Sequence, residues 1–224
     1  MTDLMALQRC ELFAGLPEQV MEVLLEKGTP RAYDRGQVLL APQERLDQLG
    51  VVVSGRIHQM HISHDGEYQL MTAIYPPRTL GVDLICTRTR LAPYHMLAAE
   101  ASRVFWIPAN LWNEELLPWK QEILERLLRV LSHINMKKEY RLAILAQRGL
   151  RQRVLTYLTM QADKRHSATV TVPFSREEMA SFLCVNRSAL SHELSVMASE
   201  GLIDFHKNIF TLHYWERGGE DVRQ

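Results

Sequence analysis

Residues 172–203, VPFSREEMASFLCVNRSALSHELSVMASEGLI, decide how the C-terminal part of the chain folds. Ser175 and Glu178 have the spacing of a capping box, in which each side chain satisfies the other's backbone amide. A helix is therefore predicted to start at about Arg176. Met179, Ala180 and Leu183 give it an apolar inner face. Cys184-Val185-Asn186 interrupts the pattern, and Arg187 opens a second helix with Leu190, Leu194 and Met197 turned inward. Gly201 stops that helix, because glycine accepts the left-handed conformation that follows a last turn. Two short helices joined by about three residues form a helix-turn-helix. Leu202–Phe205 and Ile209–Leu212, linked by His206-Lys207-Asn208, then read as a two-stranded wing.

The outward side of the second helix carries Arg187, Ser188, Ser191 and His192, all at its N-terminal end. In a helix-turn-helix this is the end that enters the major groove. Arginine grips O6 and N7 of guanine through two hydrogen bonds, and Ser and His reach base edges or phosphates. A merely solvated helix face would also be polar. The capped first helix, the wing and a long helix upstream weigh toward DNA.

That upstream helix is predicted from Trp119–Arg148, which contains neither Gly nor Pro. Leu124, Leu127, Leu131, Ile134, Lys138, Arg141 and Leu145 recur at the alternating three- and four-residue steps of a coiled-coil seam. Such a helix extends about 45 Å at ~1.5 Å per residue, too long for one face of a small domain. Its narrow apolar stripe predicts a dimerisation seam through Leu124, Leu127, Leu131 and Ile134. Gly149 breaks the helix and is taken as a hinge. From Tyr33 to Ile107 the pattern differs again. Gln48–Val53, Arg56–Ile62 and Tyr68–Ala73 read as short strands between turn signals, and His64-Asp65-Gly66-Glu67 joins two of them as a hairpin. Many short strands at this spacing predict a sandwich, roll or barrel. The first thirty residues read as short helices, one starting at Pro17.

Composition excludes several classes. The chain has 224 residues with 26 Lys+Arg and 26 Asp+Glu, so no global basic field advertises nucleic acid, and that case rests on local residues. Cys10, Cys86 and Cys184 are scattered, which fits neither a disulfide framework nor a tetrahedral zinc site. Each is expected to be a small core filler in a reducing, cytoplasmic setting. No window suits a signal peptide or a membrane span. His58 and His61 point to opposite faces of a strand and cannot converge on a metal, His64 belongs to a turn, and all three are expected at the surface. No Ser/His/Asp or paired-carboxylate arrangement marks an enzyme.

Taken in order, LFAGL (12–16), YDRGQVL (33–39), LGVVVSGRI (49–57), HDGEYQLM (64–71), TLG (79–81), SREEMASFLCVNRSALSHEL (175–194) and EGLI (200–203) resemble the Crp/Fnr family of bacterial transcription regulators. The family includes the cyclic-AMP receptor protein. The resemblance covers nearly the whole chain. It implies an α+β architecture: a cyclic-nucleotide-binding-like β-roll over 1–108, a dimerisation helix over 109–148 and a winged helix-turn-helix over 149–224. It also implies a homodimer on a palindromic double-stranded operator, in contact with RNA polymerase. The DNA-facing set then extends to Ser175, Arg176, Asn186 and Lys207. Arg187 matches the family position where an arginine reads guanine. Ser188 replaces a glutamate of the cyclic-AMP receptor protein, and His192 stands where many members have arginine.

The effector signature departs from the family. Members that bind cyclic AMP carry Gly-Glu and then Arg-Ser; here these become Gly81-Val82-Asp83 and Ala92-Pro93, followed by Tyr94-His95. A buried phosphate would lack its counter-charge, which is costly. Arg88 or Arg90 could replace it only by loop rearrangement. The pocket is expected to use Gly81, Asp83, Tyr94, His95, Met136 and Lys137 for an unidentified small molecule other than cyclic AMP. A four-thiolate iron–sulfur cluster is excluded by the cysteine count, and neither haem nor another cofactor is expected. The competing reading is a cyclic-nucleotide-like sensing module that regulates a partner protein without binding DNA.

Overall fold

The structure, a computed structural model, describes residues 1–62, 66, 68–113 and 116–215. The chain divides into two compact units, Met1–Met136 and Lys137–Gln224. In the first, helices α1 (Asp3–Arg9) and α2 (Glu18–Lys27) lead into β1 (Thr29–Tyr33), β2 (Val38–Leu40), β3 (Gln48–Ser54), β4 (Ile57–Ile62), β5 (Tyr68–Ile74) and β6 (Thr79–Leu80). The short helix α3 (Val82–Ile85) precedes β7 (His95–Ala98) and β8 (Ser102–Pro108), and α4 (Lys120–Leu145) follows as one continuous helix of 26 residues. Two four-stranded antiparallel sheets, ordered β1-β8-β3-β6 and β2-β7-β4-β5, make a β-roll.

Strands β3 and β8 show why this roll was hard to read as alternating sequence. Val52, Val104 and Trp106 pack between the two sheets with Ile57, Met96 and Ala98. Leu49, Val51, Val53, Phe105 and Ile107 point the other way, under α1 and α2. With both faces covered, QLGVVVS and SRVFWIP become nearly unbroken apolar runs. Gly28, which ends α2, is fixed by the same packing. A Cβ there would stand 2.2 Å from the Phe105 ring. Between β4 and β5, Gly66 is described, with φ +80°; the predicted turn residues His64, Asp65 and Glu67 lie outside the described residues.

The second unit holds α5 (Leu150–Arg165), β9 (Thr169–Thr171), α6 (Arg176–Phe182), α7 (Arg187–Ser199), β10 (Ile203–His206) and β11 (Ile209–Leu212). The inner faces expected for the two short helices are buried: Met179, Ala180 and Leu183 on α6, and Leu190, Leu194 and Met197 on α7. The wing has three strands, not two. β9 pairs with β11 through Val170 and Phe210, so the order is β10-β11-β9. The α+β class with its roll, long helix and helix-turn-helix is thus the observed fold.

Several side chains sit elsewhere than expected. His58 is buried, because β4 is covered on both faces at Ile57 and His58, while His61 is exposed. Cys10 is the buried core filler anticipated, its thiol pushed up to about 11 by burial. Cys86, however, is exposed, and Cys184 is half-buried. On α4, Leu127, Leu131 and Ile134 are half-buried against the core of the first unit, alongside the buried Ile123 and Val130. Leu124, Leu128 and Leu142 are the leucines that α4 exposes. No helix among the described residues is long and apolar enough to cross a membrane.

Candidate nucleic-acid interface

The recognition surface starts with two helix caps. Ser175 accepts from the Glu178 amide at 3.2 Å, and Glu178 accepts from the Ser175 amide at 2.7 Å, completing the capping box. Asn186 caps α7 by accepting from the Ala189 amide at 2.8 Å, and it also receives the Ser188 hydroxyl at 2.9 Å. Such caps satisfy amides that a helix start leaves unpaired. Between the helices, Cys184 adopts φ +56°.

With the inner face of α7 buried, Arg187, Ser188 and His192 are exposed and Ser191 is half-exposed at its N-terminal end. Arg187 lies 3.7 Å from Glu177 with both side chains largely in solvent. Such an exposed pair stabilises little and yields readily to a competing partner. At the back of α7, Arg151 from α5 pairs with Glu193 at 2.6 Å and Glu200 at 2.8 Å, bracing the helix against its unit.

Arg176 is engaged differently from its neighbours. Its guanidinium lies over the rings of Phe205 and Phe210, at 5.1 and 5.5 Å, and donates to the Lys207 carbonyl at 3.1 Å. Burial, and secondarily the charge of Arg187, lowers its pKa. Arg176 therefore ties the start of α6 to the wing, whose tip residue Lys207 is exposed with φ +54°. The sequence offered Phe205 and Phe210 as apolar strand residues, but their pairing around Arg176 depends on the sheet register.

In the first unit, the expected effector residues separate. Gly81 (φ +75°) opens α3, and Asp83 accepts the Tyr94 hydroxyl at 2.8 Å. Tyr94 is buried in the cluster between the sheets; burial and the adjacent carboxylate push its pKa upward. His95 faces away from that interior. Met96 and Ala98 are the inward residues of β7, and the His95 ring meets Tyr68 edge-on at 6.1 Å. Met136 and Lys137 are exposed on α4 where the units divide. Arg90 donates to Asp47 at 2.8 Å, and Asp47 also receives Arg45. Its guanidinium is occupied, and Ala92 is fully buried. Among the described residues, no group of three or more His, Cys, Asp or Glu could hold a metal.

Residues 152–217 match the family model of the Crp-like helix-turn-helix domain. Over 205 residues the chain is 25% identical to the CRP-like cAMP-activated global transcriptional regulator of Mycobacterium tuberculosis, covering 88% of this chain and 89% of that one. Its fold is similar to that of the c-di-GMP-responsive global regulator CLP of Xanthomonas campestris, with a TM-score of 0.70, 15% identity, and 87% and 98% of the two chains covered. It is also similar to FixK2 from Bradyrhizobium japonicum, with a TM-score of 0.64, 17% identity, and 83% and 92% covered. The likeness to these two structures is one of fold.

Proposed function

We propose that this chain, a Crp-like transcription regulator with a helix-turn-helix DNA-binding domain, acts as a homodimer on a palindromic operator. The observation that carries the reading is the N-terminal end of α7, where Arg187, Ser188 and His192 stand exposed above a fully buried inner face. Arg187 and Ser191 would read base edges, with His192 on a base or a phosphate. Lys207 at the wing tip would meet the backbone. Ser175, Asn186 and Ser188 would act mainly through the caps that fix the helix starts. Likeness to the Crp/Fnr regulators supports contact with RNA polymerase at the promoter. Selecting random duplexes with the purified chain and sequencing the bound pool tests the proposal. An enriched inverted repeat is expected; a pool without any enriched sequence counts against it.

Within that operator, Arg187→Ala is expected to cost about 1–3 kcal/mol and to flatten the preference at one base pair in each half-site. Affinities for operators substituted at each position, measured at one salt concentration, give the result. A variant with unchanged base preference removes Arg187 from the readers.

The effector is proposed to be a small molecule other than cyclic AMP. Ala92 and Pro93 offer no charge to a phosphate, and Arg90 is paired with Asp47 at a partly exposed position. Titration with millimolar cyclic AMP in a calorimeter is expected to give no saturable heat. Micromolar binding would mean that Arg90 leaves Asp47 to serve the phosphate.

A further inference from the structure

Residues 135–140 of α4 are exposed throughout, and the helix then buries Arg141 and Ile144 within the second unit. A buried guanidinium is costly unless other groups engage it. Arg141 lies over the Phe182 ring at 5.2 Å, and its Nη2 donates to the Phe182 carbonyl at 3.4 Å and faces Cys184 Sγ at 3.8 Å. These partners end α6 and form the turn before α7. A second arginine joins them: Arg153 of α5 donates to the Leu183 carbonyl at 3.1 Å and to the Gln147 carbonyl at 3.2 Å. The last carbonyls of a helix lack intrahelical donors, and here two guanidiniums from outside the motif supply them. The same turn holds Cys184 at φ +56°, a left-handed conformation uncommon outside glycine, closed by the amides of Cys184 and Val185 bonding back to α6.

We propose that Arg141 is a positioning residue for DNA recognition: it fastens the last turns of α4 to the turn of the helix-turn-helix and so fixes how α7 is presented. This rests on the reading of α7 as the DNA-contacting helix. Arg141 acts through the turn and touches no DNA, so its removal changes the order of the turn and the fit to a specific site. It leaves the number of phosphate contacts alone.

The test compares wild type with Arg141→Met, Arg141→Lys and Phe182→Leu in the full chain. The first readout is hydrogen exchange at the amides of Cys184 and Val185, which bond to Ser181 and Ala180 carbonyls at 3.1 and 3.0 Å. The second is affinity for the selected operator and for random duplex across a salt series. Arg141→Met is expected to speed exchange in the turn and to weaken operator binding by about tenfold, with random-duplex binding and the salt slope unchanged. Phe182→Leu should act in the same direction, and Arg141→Lys should recover part of both losses. Unchanged exchange in the turn overturns the proposal. So does acceleration spread evenly over the whole unit, which is the mark of an ordinary core residue. A salt slope lowered by about one overturns it too, because Arg141 would then be a phosphate contact. If wild type selects no DNA, the operator reading fails, while the exchange comparison still decides whether Arg141 holds the turn.

Discussion

A chain carrying Leu124→Glu and Leu128→Glu is expected to run as a monomer in light scattering and to lose at least about a hundredfold in operator affinity. Both leucines are exposed on α4, one helical turn apart. With the half-buried Leu131, then Asn135, Lys138 and the exposed Leu142, they follow the four- and three-residue steps of a coiled-coil seam. Burying each leucine against a second copy stabilises the pair by ~1.5–3 kcal/mol. Two carboxylates in that seam remove the gain and add repulsion. Two linked heads bind two half-sites more tightly than one head by a factor of about 10² to 10⁴, and the monomer forfeits it. Leu127 and Leu131 are poorer targets, since they also pack on the core of their own unit and a charge there confuses unfolding with dissociation. A variant that stays dimeric places the seam elsewhere.

Phe210→Ala is expected to destabilise the second unit by about 3–5 kcal/mol, the usual result of emptying a well-packed aromatic site. Phe210 is 1% exposed, stacks on Phe205 at 5.8 Å and covers one side of the Arg176 guanidinium. Scanning calorimetry should show the transition of this unit falling by well over ~10 °C, given its small size. A fall of only a few degrees would mean that neighbouring side chains close over the space, and that the wing needs no aromatic pair around Arg176.

The helix-turn-helix was legible because its signals are local. The capping box, the three-residue break, the apolar spacing on each helix and Gly201 lie within one stretch, and none requires knowledge of distant residues. The hairpin strands were legible for the same reason. What escaped depends on contacts far apart in sequence. The place of Arg176 over Phe205 and Phe210, about thirty residues away, arises only once β10 and β11 pair in register. The wing's third strand, β9, pairs with β11 about forty residues further on, so no local signal announces it. On α4 the apolar residues spread over more than one face, part against the core of the first unit and part in solvent. Spacing alone could not assign Leu127, Leu131 and Ile134 partly to the chain's own core and Leu128 to the open side. The outward place of His95 was legible, since alternation with the apolar Met96 and Ala98 sets it on the outer face of β7.

The caps at the start of α7 also bear on how this head finds its site. Asn186 Oδ1 accepts from both the Ser188 hydroxyl and the Ala189 amide, and Arg176 is engaged with the wing. On the proposed reading, a duplex lying along α7 is met mainly by Arg187, Ser191 and His192. So short an alphabet reads few letters per half-site, whereas a genome offers roughly 10⁶ or more competing addresses. The remaining discrimination has to come from the mechanics of the DNA: steps that kink or narrow cheaply where the head leaves the bases untouched. Sites for this regulator should accordingly share flexibility between their half-sites more faithfully than they share letters.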